Sequence, residues 1–159
     1  MNNFIIIAIC VAAVGTAYYL KNREKTGLLQ EGKIIERNKS FWEDKQIFEL
    51  DAPYEAVVAA AKNVNYAGNA VEVTYNFDGK KIIFFRSSHS WNAALQYLGT
   101  SEEKYLYSLS FTNWKGRNGV PNFMTMNIFL TQTEKMLLSL DPETMVETHM
   151  MEIKTKTRF

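Results

Sequence analysis

The feature that most constrains this chain is an apolar run near its start. Between Phe4 and Leu20 the sequence FIIIAICVAAVGTAYYL contains no charged residue. A helix over this run rises about 25 Å, slightly less than the roughly 30 Å hydrocarbon core of a bilayer. Tyr18 and Tyr19 suit the headgroup zone, and Lys21 can extend outward to lengthen the span. The run therefore predicts a single transmembrane helix that anchors the chain.

The charges beside the run predict its orientation. Lys21, Arg23 and Lys25 follow it, whereas the preceding Met-Asn-Asn contains no basic residue. Basic residues are retained on the cytoplasmic side of a membrane. The pattern predicts a single-pass signal anchor with the rest of the chain in the cytoplasm.

Other interpretations of the run stay open. Gly15-Thr16-Ala17 supplies the small residues that a signal peptidase reads, so cleavage near Ala17 would give an exported ligand-binding domain. Lipid attachment at Cys10 is disfavoured, because the bulky Ile9 stands where that signal needs a small residue. A buried helix of the domain itself would need protein on every side, and the remaining chain is small for that.

Composition excludes several classes of site. The 18 basic and 17 acidic residues leave a net charge of +1, which gives no broad positive field for nucleic acid. The only cysteine, Cys10, lies in the apolar run, so the body cannot build a thiolate metal site. His89 and His149 are far apart in sequence, and no phosphate-binding glycine loop occurs. We therefore expect no metal, no cofactor and no nucleic-acid partner.

The chain is expected to divide into a membrane anchor with a basic flank (1–26), a tether (27–39) and a soluble α+β domain (40–159). Gly27 and Gly32 interrupt the mixed, charged tether. Within the domain, a strand is expected over 41–50, and Asp51 should cap a helix that Pro53 begins. Residues 71–77 and 80–86 alternate around Asp78-Gly79, which predicts a two-residue hairpin turn.

The hairpin prediction fixes a register. Pairing Phe77 with Lys80 places Tyr75 opposite Ile82, and it puts Ile83 on the other face of the sheet.

Alternation over 105–111 and 124–130 predicts two more strands. The capping-box spacing of Thr131 and Glu134 predicts a helix that ends at Asp141-Pro142. A last edge strand is expected from Met145, while residues 89–99 fit a helix or a strand. The predicted fold is α+β, with a curved antiparallel sheet of five to six strands, two helices on one face, and the order β-α-β-β-(β)-β-β-α-β.

The stretch ELDAPYEAVVAA resembles the strand-to-helix entry of helix-grip, lipid-transfer-like domains, and the order of elements is similar to that of a TATA-binding-protein-like unit. The helix-grip resemblance implies an apolar groove between helix and sheet. It covers about a dozen residues and one type of helix cap.

Two clusters are candidates for binding. Arg86, His89 and Trp91, in RSSHSWN, suit the mouth of a ligand pocket, although a strand end with hydroxyl turn bonds has the same composition. The interface candidates Trp114, Lys115 and Arg117 place a ring beside two cations, which suits a lipid or protein contact. A long hairpin loop with the ring folded onto the sheet is the structural alternative.

A third cluster, Lys154, Lys156 and Arg158, suits either anionic lipid or a solvated edge.

The sequence shows no catalytic constellation, since no serine stands in a G-x-S-x-G motif. It favours a membrane-anchored, non-catalytic binding module on the cytoplasmic face, whose partners are the lipid bilayer and a protein or apolar small molecule. The alternative function is a small enzyme with a pocket between helix and sheet, in which His89 is the base. The sequence leaves the oligomeric state open.

Overall fold

The computed structural model describes residues 2–115 and 121–151, and it describes side chains from residue 13 onward. The chain forms two units, one that ends at Glu36 and one that begins at Arg37. The α-helices are α1 (Asn2–Gln30), α2 (Tyr54–Asn63) and α3 (Phe123–Leu140), with a 3₁₀ turn at Phe41–Glu43. The strands are β1 (Asp44–Leu50), β2 (Val71–Asn76), β3 (Ile82–Ser87), β4 (Trp91–Ser101), β5 (Lys104–Trp114) and β6 (Met145–Met150).

The first unit corrects the prediction of a membrane anchor. Of the helices in the described part of the chain, none is both long enough and apolar enough to cross a membrane. The helix α1 continues through Lys21, Arg23 and Lys25 to Gln30, and such charges are costly to bury in hydrocarbon.

The predicted transmembrane, single-pass and signal-anchor character is therefore not supported, and neither is the membrane localisation drawn from it. The side chains of Phe4 and Cys10 lie outside the described ones.

The second unit is built on one six-stranded sheet in the order β2-β3-β4-β5-β1-β6, and every neighbouring pair is antiparallel. Alternate residues of the four strands β1, β3, β4 and β5 are buried on one face, which we call the inner face. Val57 and Ala61 of α2 join the same core as Phe129 and Leu137 of α3. The predicted α+β class, with two helices on one face of the sheet, is confirmed.

Aromatic rings fill the space between α3 and the inner face. The Phe129 ring lies 4.8 Å from Trp91, 4.9 Å from Phe85, 5.6 Å from Tyr66 and 5.8 Å from Phe111, measured between ring centroids. Stacked, edge and tilted ring pairs at these separations are favourable. The position at which the helix-grip resemblance implies an apolar groove is thus occupied by packed side chains.

The β2–β3 hairpin differs from its predicted register by one residue. Tyr75 pairs with Ile83, not Ile82, because the loop spans residues 77–81 instead of two residues. The Asn76 side chain accepts a hydrogen bond from the Asp78 amide at 2.9 Å, and Gly79 adopts a φ of +69°. A one-residue shift exchanges the two faces of a strand. Ile83 is consequently buried in the core.

The helix α3 replaces a predicted strand. Residues 124–130 alternate in polarity, but they form the first half of α3, which begins at Phe123, and its N-cap is Asn122 instead of Thr131. The Asn122 side chain caps it by accepting a hydrogen bond from the Thr125 amide at 3.3 Å. The predicted end at Asp141 is correct.

Two further local predictions are settled. Residues 89–99, which fitted a helix or a strand, belong largely to β4. The cap of α2 is Pro53, without a side-chain hydrogen bond, whereas the Asp51 amide donates to Asp141. Asp51 therefore does not cap the helix as expected.

Candidate binding site on the outer face of the sheet

The outer face is the side of the sheet opposite α2 and α3. Alternation places Phe84 and Arg86 of β3 there, since the intervening Phe85 is buried in the core. The Phe84 side chain is 45% exposed. A sheet with helices on one face leaves the other face available for a further contact.

A β-bulge shapes this face. Asn92 pairs with Asn113 and Ala93 with Phe111, which leaves Thr112 of β5 as an extra residue without an opposite partner in β4. An extra residue bends its strand and increases the local twist. Bulges are common beside binding sites for this reason.

A depression of about 310 Å³ lies over the bulge. Its outward side chains come from four neighbouring strands, and the inward-facing Phe85 and Ala93 also line it. The outward residues are Glu72, Thr74, Phe84, Arg86, Asn92 and Thr112. They combine one ring and both signs of charge with an amide and two hydroxyl groups.

Arg86 and Glu72 form only a loose ion pair. The Arg86 Nη1 atom lies 3.8 Å from Glu72 Oε2, and the two side chains are 76% and 62% exposed. An exposed pair at this distance contributes little stability, because water screens both charges. Either charge can therefore turn to a partner at small cost.

The structure separates the three predicted pocket residues. Arg86 lines the depression, whereas His89 is exposed in the β3–β4 turn, where its amide donates to Ser87 Oγ at 3.1 Å. Trp91 is buried on the inner face, and its Nε1 donates to Thr125 Oγ1 at 3.0 Å. Trp91 thus packs in the core and does not line this depression.

Of the three interface candidates, the structure describes Trp114 and Lys115. Trp114 is half-buried against the core, opposite Trp91 in the ladder, and the Lys115 amide donates to Ser90 at 2.8 Å. Arg117 lies outside the described residues.

The three basic candidates on the predicted last strand, Lys154, Lys156 and Arg158, also lie outside the described residues.

Sequence reasoning missed Phe84, Asn92 and Thr112 as site residues. The one-residue register error put Phe84 on the face of Tyr75, and no sequence pattern marks the bulge at Thr112. Residues 2–115 and 121–151 contain no cluster of three or more potential metal ligands.

No protein-family model matches this chain, and no curated protein matches it significantly. The geometry of the depression is therefore what supports a function.

Proposed function

We propose that the second unit is a non-catalytic binding module, and that the depression on its outer face receives a segment of another protein. The observation that carries this proposal is the exposure of Phe84 and Arg86 side by side over a β-bulge. Aromatic residues and arginine are the types most enriched where protein partners bind tightly.

Phe84 supplies apolar contact area. Burying a whole phenylalanine side chain contributes about 1.5–3 kcal/mol, so covering a ring that is 45% exposed contributes roughly 1 kcal/mol. The neighbouring side chains that line the depression do not cover the Phe84 ring, so the ring is accessible to solvent.

Arg86 supplies charge recognition. Its planar guanidinium can bind a carboxylate through two parallel hydrogen bonds, which a loose pair at 3.8 Å does not achieve. Asn92 and Thr112 add hydrogen-bonding groups around it. The expected partner segment carries an acidic residue next to an apolar one.

The side chains around the depression favour binding over catalysis. They are a guanidinium, a carboxylate, an amide, two hydroxyls and a ring, and no hydrogen bond joins a nucleophile to a base among these described groups. His89, the base in the enzyme hypothesis, is in the turn beyond β3 and does not line the depression.

A random peptide library displayed on phage tests the proposal. We expect selection on the full chain to enrich peptides with an acidic residue beside an apolar one. The synthetic peptides should lose about fivefold in affinity for Phe84→Ala, which corresponds to roughly 1 kcal/mol, and about tenfold or more for Arg86→Ala.

Leu98→Ala is the matched control, because Leu98 is also 45% exposed but does not line the depression. The selected peptides should bind Leu98→Ala with the same affinity as the unaltered chain. Peptides that bind both depression variants as tightly as the control would refute the proposed site.

A further inference from the structure

The strand β6 forms one edge of the sheet. It pairs with β1 on one side, and no other described strand pairs with it. All six of its side chains are exposed, including those of Met145, Val146 and Met150. Exposed apolar side chains beside unpaired backbone groups make a strand edge competent for further pairing.

The hydrogen bonds to β1 reveal which backbone groups face outward. The Met151 amide donates to the Glu43 carbonyl at 2.9 Å, in line with the register that pairs His149 with Lys45. Bonding direction alternates along an antiparallel strand, so Glu147 and His149 also direct their amides to β1. The amides and carbonyls of Val146, Thr148 and Met150 therefore point away from the sheet.

Within Met145–Met150, this edge lacks three common protections against pairing. The sequence of β6, MVETHM, contains no lysine and no proline, and its register with β1 is unbroken by a bulge. Proteins that keep an edge strand unpaired commonly use one of these three devices. The described edge is thus open to a strand of suitable sequence.

We propose that β6 pairs antiparallel with β6 of a second copy of the chain, with Thr148 opposite Thr148 on a two-fold axis. This register places the outward-bonding Val146 opposite the second copy's Met150. It forms about six backbone hydrogen bonds, two at each of three hydrogen-bonded pairs. The interface is isologous, and it joins two six-stranded sheets into one.

Side-chain charge supports this register. Glu147 lies opposite the second copy's His149, and by the two-fold symmetry His149 lies opposite the second copy's Glu147. These are non-hydrogen-bonded pairs, whose Cα atoms approach to about 4.5 Å, so the carboxylate can accept a hydrogen bond from the imidazole. The groups already facing His149 are Lys45 on β1 and Glu147 on its own strand, at 3.3 Å.

Shifting the pairing by two residues removes the complementarity. With Glu147 on the axis, two carboxylates stand directly opposite each other, which is destabilising. With His149 on the axis, Glu147 faces Met151 and the charge pairs are lost. Shifts by one residue bring opposite faces together and are excluded by the pleat.

Sedimentation equilibrium of the full chain over a concentration series tests the proposal. We expect a reversible dimer of twice the 18.3 kDa chain mass. Thr148→Pro removes an outward amide without removing a bond to β1, so the dimer dissociation constant should rise about tenfold or more. Thr148→Val keeps the amide and should dimerise like the unaltered chain. Circular dichroism checks that each variant is folded.

A charge exchange tests the register separately. If the proline variant does not fold, this exchange alone tests whether β6 pairs with β6 of a second copy. Glu147→Lys should weaken the dimer, and adding His149→Glu should restore it, because each lysine then faces a glutamate. A monomer at every concentration would overturn the proposal. An oligomer that neither Thr148→Pro nor Glu147→Lys weakens would also overturn it.

Discussion

Replacing Glu134 by glutamine should destabilise the second unit by about 3 kcal/mol. Arg37 Nη1 and Nη2 donate to the two carboxylate oxygens of Glu134 at 3.0 and 2.6 Å, and Arg37 Nε donates to Asn127 Oδ1 at 3.0 Å. Gln46 Nε2 also donates to Glu134 at 2.6 Å. Only 9% of the Arg37 side chain and 17% of the Glu134 side chain are exposed. The carboxylate is therefore the counter-charge of a largely buried guanidinium.

The magnitude follows from what the substitution leaves behind. Removing one partner of a buried ion pair costs about 3–5 kcal/mol, because the remaining charge has lost its counter-ion. Glutamine keeps the shape and one carbonyl oxygen, so it can still accept hydrogen bonds from Arg37 and Gln46. The expected loss is therefore at the lower end of that range. The double variant Arg37→Met/Glu134→Leu should lose less, since it leaves no unpaired charge.

Urea denaturation followed by tryptophan fluorescence measures the loss. We expect the midpoint to fall with an unchanged m-value, because the surface exposed on unfolding stays the same. Glu55→Gln is the control, since Glu55 pairs with Lys81 at 3.3 Å on the surface, where its side chain is 61% exposed. A Glu134→Gln midpoint equal to that of the control would show that the Arg37 charge is solvated, and it would refute the reasoning.

Two further outcomes are expected. Phe129→Ala should lower the free energy of unfolding by about 3–5 kcal/mol in urea titrations, because it leaves a cavity among the rings that contact it. Hydrogen bonds from the Asp51 amide, Lys104 and the Glu143 amide hold the pKa of the Asp141 carboxyl below its ordinary value. The stability that these hydrogen bonds to the Asp141 carboxylate give the folded chain is present above a pH of about 4. It is lost as the pH falls through the lowered pKa. The stability difference between the unaltered chain and Asp141→Asn should therefore narrow on acidification; a constant difference would contradict this.

Local patterns were sufficient for part of the fold. Val57, Val58 and Ala61 recur at helical spacing, and they are the buried face of α2. Strand β5 followed from alternation, since each position in a strand faces one side of the sheet, and β6 begins at Met145 as expected.

The helix α3 shows why the same rule fails elsewhere. Met126 and Phe129 are both buried, three residues apart, yet Met126, Ile128 and Leu130 also fit a period of two. Short apolar runs satisfy both periods, and only tertiary packing selects between them. The cap at Asn122 was the local signal that could have decided it.

The candidate binding site depended on features that a local pattern does not encode. The exposure of Phe84 requires the register in which Ile83 faces the core, and that register comes with a loop over 77–81 instead of the predicted two-residue turn. The depression also requires the extra residue at Thr112, on a different strand. Composition can indicate Arg86 as a candidate binding residue, but only the register and the bulge place it beside the exposed Phe84 ring. The loop length and the bulge both depend on how whole strands pair, and a one-residue error in either one would exchange the exposed and buried faces.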